Sequence, residues 1–242
     1  MDKAYKILAK TKNFSHNLAK DLIDKGLVRV NGIRIKLART LVPLDSHFEI
    51  QEITKPKILL QDKDLLALHK PPFTESYELE KFYKGFVLLH RLDRETSGVI
   101  LLARENSEFS HLAKEAFKKR EVYKEYRALV SGIVAESMQI DKPISTSKKY
   151  GFAKSRIDKN GKRASTYIEP LAVSGKKSLL KIIITTGKTH QIRVHLSHIN
   201  HPIIGDTIYG GANAKRLMLH ARCIKLLGYT IISQPPQELE LQ

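Results

Sequence analysis

The sequence predicts an α+β protein: a small helix-hairpin unit over residues 1–52, then a larger domain over 58–242 built on a mixed, mainly antiparallel sheet. Three observations predict it. Two short amphipathic helices lead directly into a pair of alternating strands around Asn31-Gly32. Beyond residue 58, many short apolar runs follow one another with few helical periods between them. A polar stretch from Gln51 to Lys57, interrupted by Pro56, separates the two regions.

In order along the chain, Asp2 is placed to cap a helix whose apolar face is Ala4, Ile7 and Leu8. Ser15 is placed to cap a second, with Leu18, Ala19, Leu22 and Ile23 at helical spacing and Gly26 at its end. Val28 and Val30 alternate with Arg29, and Ile33, Arg34 and Ile35 mirror them across Asn31-Gly32. Both turn residues tolerate the positive φ of a two-residue hairpin. Asp45 to Ile50 reads as one more strand. In the second region the strand-like runs are Leu65–Leu68, Phe86–Leu89, Val99–Ala103, Val122–Val130, Thr166–Val173, Leu179–Thr185, Leu217–His220 and Ile224–Ile232. One clear helix spans about Ser107 to Lys119, with Phe109, Leu112, Ala113, Ala116 and Phe117 on one face. Another is expected to start at Thr189 and bury Ile192, Leu196 and Ile199.

Composition narrows the function. Forty-two Lys and Arg against 25 Asp and Glu give +17, a field that draws polyanions. Nucleic acid is the expected partner; a membrane surface, or basicity that serves solubility alone, is the alternative. No apolar run approaches the roughly 18 residues that span a bilayer, and the N-terminus lacks a signal-peptide core, so a cytoplasmic protein is expected. Cys223 is the only cysteine, which excludes an internal disulfide and a Cys-rich zinc cluster; among apolar neighbours it reads as a buried thiol.

The densest polar cluster is His90-Arg91-Leu92-Asp93-Arg94-Glu95-Thr96-Ser97-Gly98, set between the runs FVLL and VILLA. It is either a solvated turn whose charges pair with each other or a loop presenting reactive groups from a rigid scaffold. Gly187-Lys188-Thr189 imitates the end of a phosphate-binding loop, but that motif needs a glycine where Ile182 stands. His190, His195, His198 and His201 are clustered without acidic partners. Helix packing and hydrogen bonding explain them better than a metal does.

HRLDRETSGVILLA closely resembles the signature loop of the RNA pseudouridine synthases of the large-ribosomal-subunit type. Three further segments match in the expected order: YKEYRALV from Tyr123 to Val130, KRASTY from Lys162 to Tyr167, and GKTHQIRVH from Gly187 to His195 followed by HPIIGD from His201. The departure lies in the first motif, usually Lys-Pro-x-Gly, which here reads Lys70-Pro71-Pro72-Phe73. LIDKGLVRVNG in the first 50 residues resembles the S4 domain, an RNA-binding module that here presents Lys20, Lys25, Arg29 and Arg34.

The resemblance implies an isomerase that turns uridine into pseudouridine in structured RNA, 23S ribosomal RNA first and transfer RNA second, with neither cofactor, metal nor obligate protein partner. It puts Asp93 on the catalytic aspartate, Tyr126 on the active-site tyrosine, Arg193 on the basic residue beside the aspartate, and Arg91 on an arginine that helps displace the target uridine. The reaction exchanges an N1–C1′ bond for C5–C1′, so no electrons or groups are imported. A carboxylate either attacks the anomeric carbon or abstracts a sugar proton. Two rivals are a non-catalytic RNA-binding protein that kept the fold and an RNA methyltransferase behind an S4 domain. The intact trio argues against the first, and the missing glycine-rich cofactor loop against the second.

Overall fold

The structure, a computed structural model, describes residues 1–149 and 152–241. The chain divides into two compact units, Met1–Thr54 and Lys55–Gln242.

The first unit runs β1 (Asp2–Lys3), α1 (Ala4–Lys12), α2 (His16–Asp24), β2 (Val28–Val30), β3 (Ile33–Ile35), β4 (Leu41–Val42) and β5 (Phe48–Ile50). Its core is the apolar face of α1 and α2 laid against Val28, Val30 and Phe48. Ser15 caps α2 by accepting from the Leu18 amide at 3.1 Å. Asn31 and Gly32 take φ of 48° and 77°, the mirror-image turn expected of that pair. Asp2 does not cap α1. It belongs to a strand paired with Leu41–Val42, and its carboxylate accepts from the Lys3 amide and meets Lys6 instead. Leu18 is exposed, and the last strand begins only at Phe48, because Leu44 and Asp45 form a turn.

The second unit runs β6 (Lys57–Gln61), β7 (Leu65–Lys70), α3 (Glu78–Phe82), β8 (Phe86–Leu88), β9 (Ser97–Arg104), α4 (Glu108–Lys119), β10 (Tyr123–Ser131), β11 (Met138–Asp141), β12 (Ile144–Lys149), β13 (Phe152–Ile157), β14 (Ser165–Ser174), β15 (Lys177–Ile184), α5 (Gln191–His198), β16 (Leu219–Leu226) and β17 (Tyr229–Ile232). The main sheet is ordered β11-β14-β15-β10-β16-β9-β7-β6, and all its pairings are antiparallel except β16 with β9. β12 and β13 form a separate hairpin.

Central strands are buried on both faces, so they read as unbroken apolar runs rather than alternating ones. Leu66, Leu68, Ile100 and Leu102 enter one core with Tyr126, Ile192 and Leu196; Leu65, Ala67, Val99 and Leu101 enter the other with Ala113 and Ala116 of α4. Each fully buried Leu or Ile contributes roughly 1.5–3 kcal/mol of burial. Leu112 differs from expectation and is exposed, since α4 buries a narrower stripe. The Thr189 start is also corrected: α5 begins at Gln191, because His190 is left-handed at φ 54°. The run Ile224–Ile232 breaks at Leu227-Gly228, a turn joining β16 to β17.

Candidate active site

The loop His90–Thr96 leaves β8 and enters β9, and it is fastened on both sides of Asp93. Before it, Leu92 is buried; its carbonyl accepts from the Ser76 hydroxyl at 2.8 Å and its amide donates to the same oxygen at 3.1 Å. After it, the Arg94 carbonyl accepts from Lys70 Nζ at 3.1 Å. Lys70 is 0% exposed and also donates to the Pro71 and Thr74 carbonyls, at 3.0 and 2.9 Å. Burial pulls its pKa down to about 7 against the charges of Glu75 and Asp93. The altered first motif therefore still delivers a lysine, and that lysine ties the loop after β7 to the loop carrying Asp93.

The exit from the loop is equally tight. Gly98 takes φ 112°, and a β-carbon on it would stand 2.1 Å from the Ala221 carbonyl oxygen. Only glycine permits β9 to lie beside β16 there.

Arg193, on α5, is 3% exposed. Its Nε and Nη2 fork onto Asp206 at 2.7 and 2.8 Å, while Nη1 donates to Asp93 Oδ2 at 3.2 Å. Asp206 is fully buried and also accepts from the Ile208 and Tyr209 amides. Burial opposes both charges. Arg193 is nevertheless held firmly protonated by Asp206 and then Asp93, and the Asp206 carboxyl lies below its usual range because of Arg193. Asp93 keeps its side chain 26% exposed, so this carboxylate has an open side.

Tyr126 sits on β10 where the pairing with β16 slips: Glu125 opposes Cys223 and Tyr126 opposes Ala221, leaving Arg222 as the extra residue. It is 7% exposed, and burial and then the Asp93 charge push its hydroxyl pKa up. The site thus brings together Asp93, Tyr126 and Arg193, residues a hundred positions apart. Arg91 is exposed at the loop's start.

The sequence reading missed Asp206, Lys70, His190 and Tyr209 as site residues. His190, expected to be packing, has Nε2 3.8 Å from Asp93 Oδ2. Its Nδ1 meets the Tyr209 hydroxyl at 2.9 Å; that hydroxyl accepts from the Ser155 amide, and the Tyr209 ring covers the Arg193 guanidinium at 5.3 Å. Burial lowers the His190 pKa despite Asp93, which favours a neutral ring. His195 bonds Thr166 and the Lys142 carbonyl, and His201 the Ser131 carbonyl, so these two are structural. Cys223 is buried.

In the first unit, Lys20 lies over the Tyr5 ring at 4.7 Å, Lys25 pairs with Asp21 at 2.8 Å, and Arg29 donates to the Gly32 carbonyl at 2.7 Å. Arg34 opposes Arg29 across the hairpin.

The buried Arg193 between two carboxylates, one of them 26% exposed, is the candidate active site. Residues 53–198 match the family model for RNA pseudouridylate synthase, and the chain belongs to that family. It is 55% identical over the full length of both chains to an uncharacterised RNA pseudouridine synthase of Helicobacter pylori (strain ATCC 700392 / 26695). It is 30% identical to ribosomal large subunit pseudouridine synthase D of Haemophilus ducreyi, over 82% of this chain and 70% of that one. It is 34% identical to tRNA pseudouridine synthase C of the same organism, over 69% and 83%. Among solved structures, human RNA pseudouridylate synthase domain containing 1 aligns with TM-score 0.65 and 27% identity, over 78% of this chain and 86% of that one. The protein is an RNA pseudouridine synthase, an isomerase.

Proposed function

We propose that this enzyme isomerises uridine in 23S ribosomal RNA, with Asp93 as the reacting carboxylate. The observation that carries the assignment is the division of Arg193: two of its nitrogens are committed to Asp206, and the third holds Asp93 in place with one side open. A carboxylate so oriented meets C1′ or a ribose proton without losing its counter-charge. Tyr126 contributes a flat face against the uracil, and its hydroxyl, kept protonated by burial, assists the C5 proton step as a hydrogen-bonding group rather than as the base that takes the proton. Arg91 fills the space left by the extruded nucleotide or holds its phosphates. The first unit acts as an S4-like RNA-binding module through Lys20, Lys25, Arg29 and Arg34, and the enzyme works in the cytoplasm. Large-subunit RNA is favoured by that module and by the relative named for the large subunit.

The test has two arms. Pseudouridines are mapped in ribosomal and transfer RNA from cells lacking the protein, and the purified protein is asked to restore the missing one. A site absent from 23S RNA and restored by wild type but not by Asp93→Asn supports the reading. A missing site in tRNA instead reassigns the substrate, and restoration by Asp93→Asn removes Asp93 from the chemistry.

A further inference from the structure

Lys124, Arg120 and Lys188 act on one another as like charges, and among the described residues no carboxylate pairs with them. On β10, Tyr123, Glu125 and Arg127 share one face, where Glu125 accepts from the Tyr123 hydroxyl at 2.7 Å and from Arg127 at 2.6 Å. Lys124 therefore faces the other way, with Tyr126, about 7 Å along the strand. It is 9% exposed, and its ammonium makes one hydrogen bond, a long one of 3.3 Å to the Thr186 carbonyl. A β-carbon on Gly187 would meet Nζ at 3.9 Å, which places the ammonium at the mouth of the segment leading to Lys188 and His190. Arg120, the exposed left-handed residue that ends α4, and Lys188 both act electrostatically on Lys124, and Lys124 acts on His90, the neighbour of Arg91.

Among the described residues, no carboxylate lies within ion-pair distance of Lys124, Arg120 or Lys188. Glu121, next to Arg120 in the chain, is exposed and makes no ion pair with it. The other buried cations are compensated: Arg193 by two carboxylates, Lys70 by three carbonyls, and Arg216 by two carbonyls and the Ser97 hydroxyl. Burial first, then Arg120 and Lys188, draw the Lys124 pKa down to about 8. An ammonium kept in such a place is disfavoured until an anion arrives.

We infer that Lys124, flanked by Arg120 and Lys188, binds the RNA phosphodiester adjacent to the target uridine. The inference rests on the reading above, in which that uridine enters beside Tyr126 and Asp93. A strand step from Tyr126 to Lys124 then matches a step from the base to the neighbouring backbone, and the subsite fixes the register of the strand rather than its sequence. Lys124 is a binding residue, not a participant in bond exchange.

The test is a binding measurement on the full chain that does not need turnover. A short oligouridylate is prepared as a series in which each phosphodiester in turn becomes a neutral methylphosphonate. In wild type, one replacement should weaken binding roughly tenfold. In Lys124→Met, which keeps the apolar stem, the same replacement should cost nothing further, and the log–log salt slope should fall by about 0.7. If every replacement costs the same in both proteins, Lys124 merely holds Thr186 and the inference fails. Should Lys124→Met not fold, Arg120→Gln/Lys188→Gln removes the two flanking charges, neither of them in the core. The double variant should then shrink the effect of that same linkage, and an unchanged effect again overturns the subsite. Loss of turnover in Asp93→Asn is a separate result, so either claim can fail alone.

Discussion

Arg193 belongs to Asp206 before it belongs to Asp93: the two-pronged contact of the guanidinium closes on Asp206 through Nε and Nη2 at 2.7 and 2.8 Å, and only Nη1 reaches Asp93, at 3.2 Å. This order has consequences for mutagenesis, because the anchor Asp206 and the half-exposed Asp93 respond to different substitutions.

Asp206→Ala should destabilise the fold by about 3–5 kcal/mol, the usual cost of stranding one partner of a buried pair. In a chain of this size that lowers Tm by roughly 10 °C. Calorimetry or thermal circular dichroism reads it directly. An unchanged Tm would mean that Arg193 had closed fully onto Asp93.

Arg193→Lys should keep the charge and lose the fork. The expected result is near-wild-type RNA affinity with a single-turnover rate reduced roughly 10- to 100-fold. Poor binding with a normal rate at saturation would make Arg193 a phosphate anchor. Arg193→Met would leave Asp206, at 0% exposure, without its counter-charge, so it should cost stability as well as rate.

Lys70 gives a pH signature. Its folded pKa of about 7 lies below the unfolded value of about 10.4, so between those limits the unfolded chain binds the extra proton. Wild-type stability should therefore rise with pH across that window, and it carries the cost of the buried charge below it. Lys70→Met lacks this slope. Denaturant midpoints compared at about pH 6 and pH 9 should converge or reverse between the two proteins as pH rises. Parallel midpoints would show that the three carbonyls hold the proton throughout.

Removing residues 1–54 should weaken RNA binding and lower the log–log salt slope by about two units while sparing basal chemistry. Lys25 and Arg29 already hold partners within that unit, so the drop is expected to be smaller than a count of basic residues suggests. A slope that does not change would remove the first unit from the RNA-binding surface.

What was legible in the sequence follows from whether its cause is local. Ser15 as a cap, Asn31-Gly32 as a turn and VILLA as a strand buried on both sides each depend on neighbours within a few positions. The Asp2 cap failed because a tertiary pairing with Leu41–Val42 claimed that segment. The hairpin β12–β13 was invisible: its Ser, Thr and Lys residues offer no apolar alternation, and it is held by Ser155 bonding the Thr189 carbonyl and Tyr209. Asp93, Tyr126 and Arg193 were found by resemblance to a family, not from spacing. Asp206 was quoted within a motif yet given no role, since nothing local tells that its carboxylate is buried against an arginine 13 residues earlier.

The position of β16 sets when the site comes into being. The family match ends at residue 198, by which point Asp93, Tyr126 and Arg193 have all been synthesised. Yet Leu219–Leu226 is the strand that separates β10 from β9, so the chain's late segment is inserted between its earlier ones. Until it arrives, Tyr126 and the Asp93 loop have no common wall, and the loop-closure cost of joining them has no reward. A chain that stops short of residue 219 thus carries Asp93, Tyr126 and Arg193 without the strand that lies between β10 and β9. The order in which these strands are synthesised therefore differs from their order in the sheet.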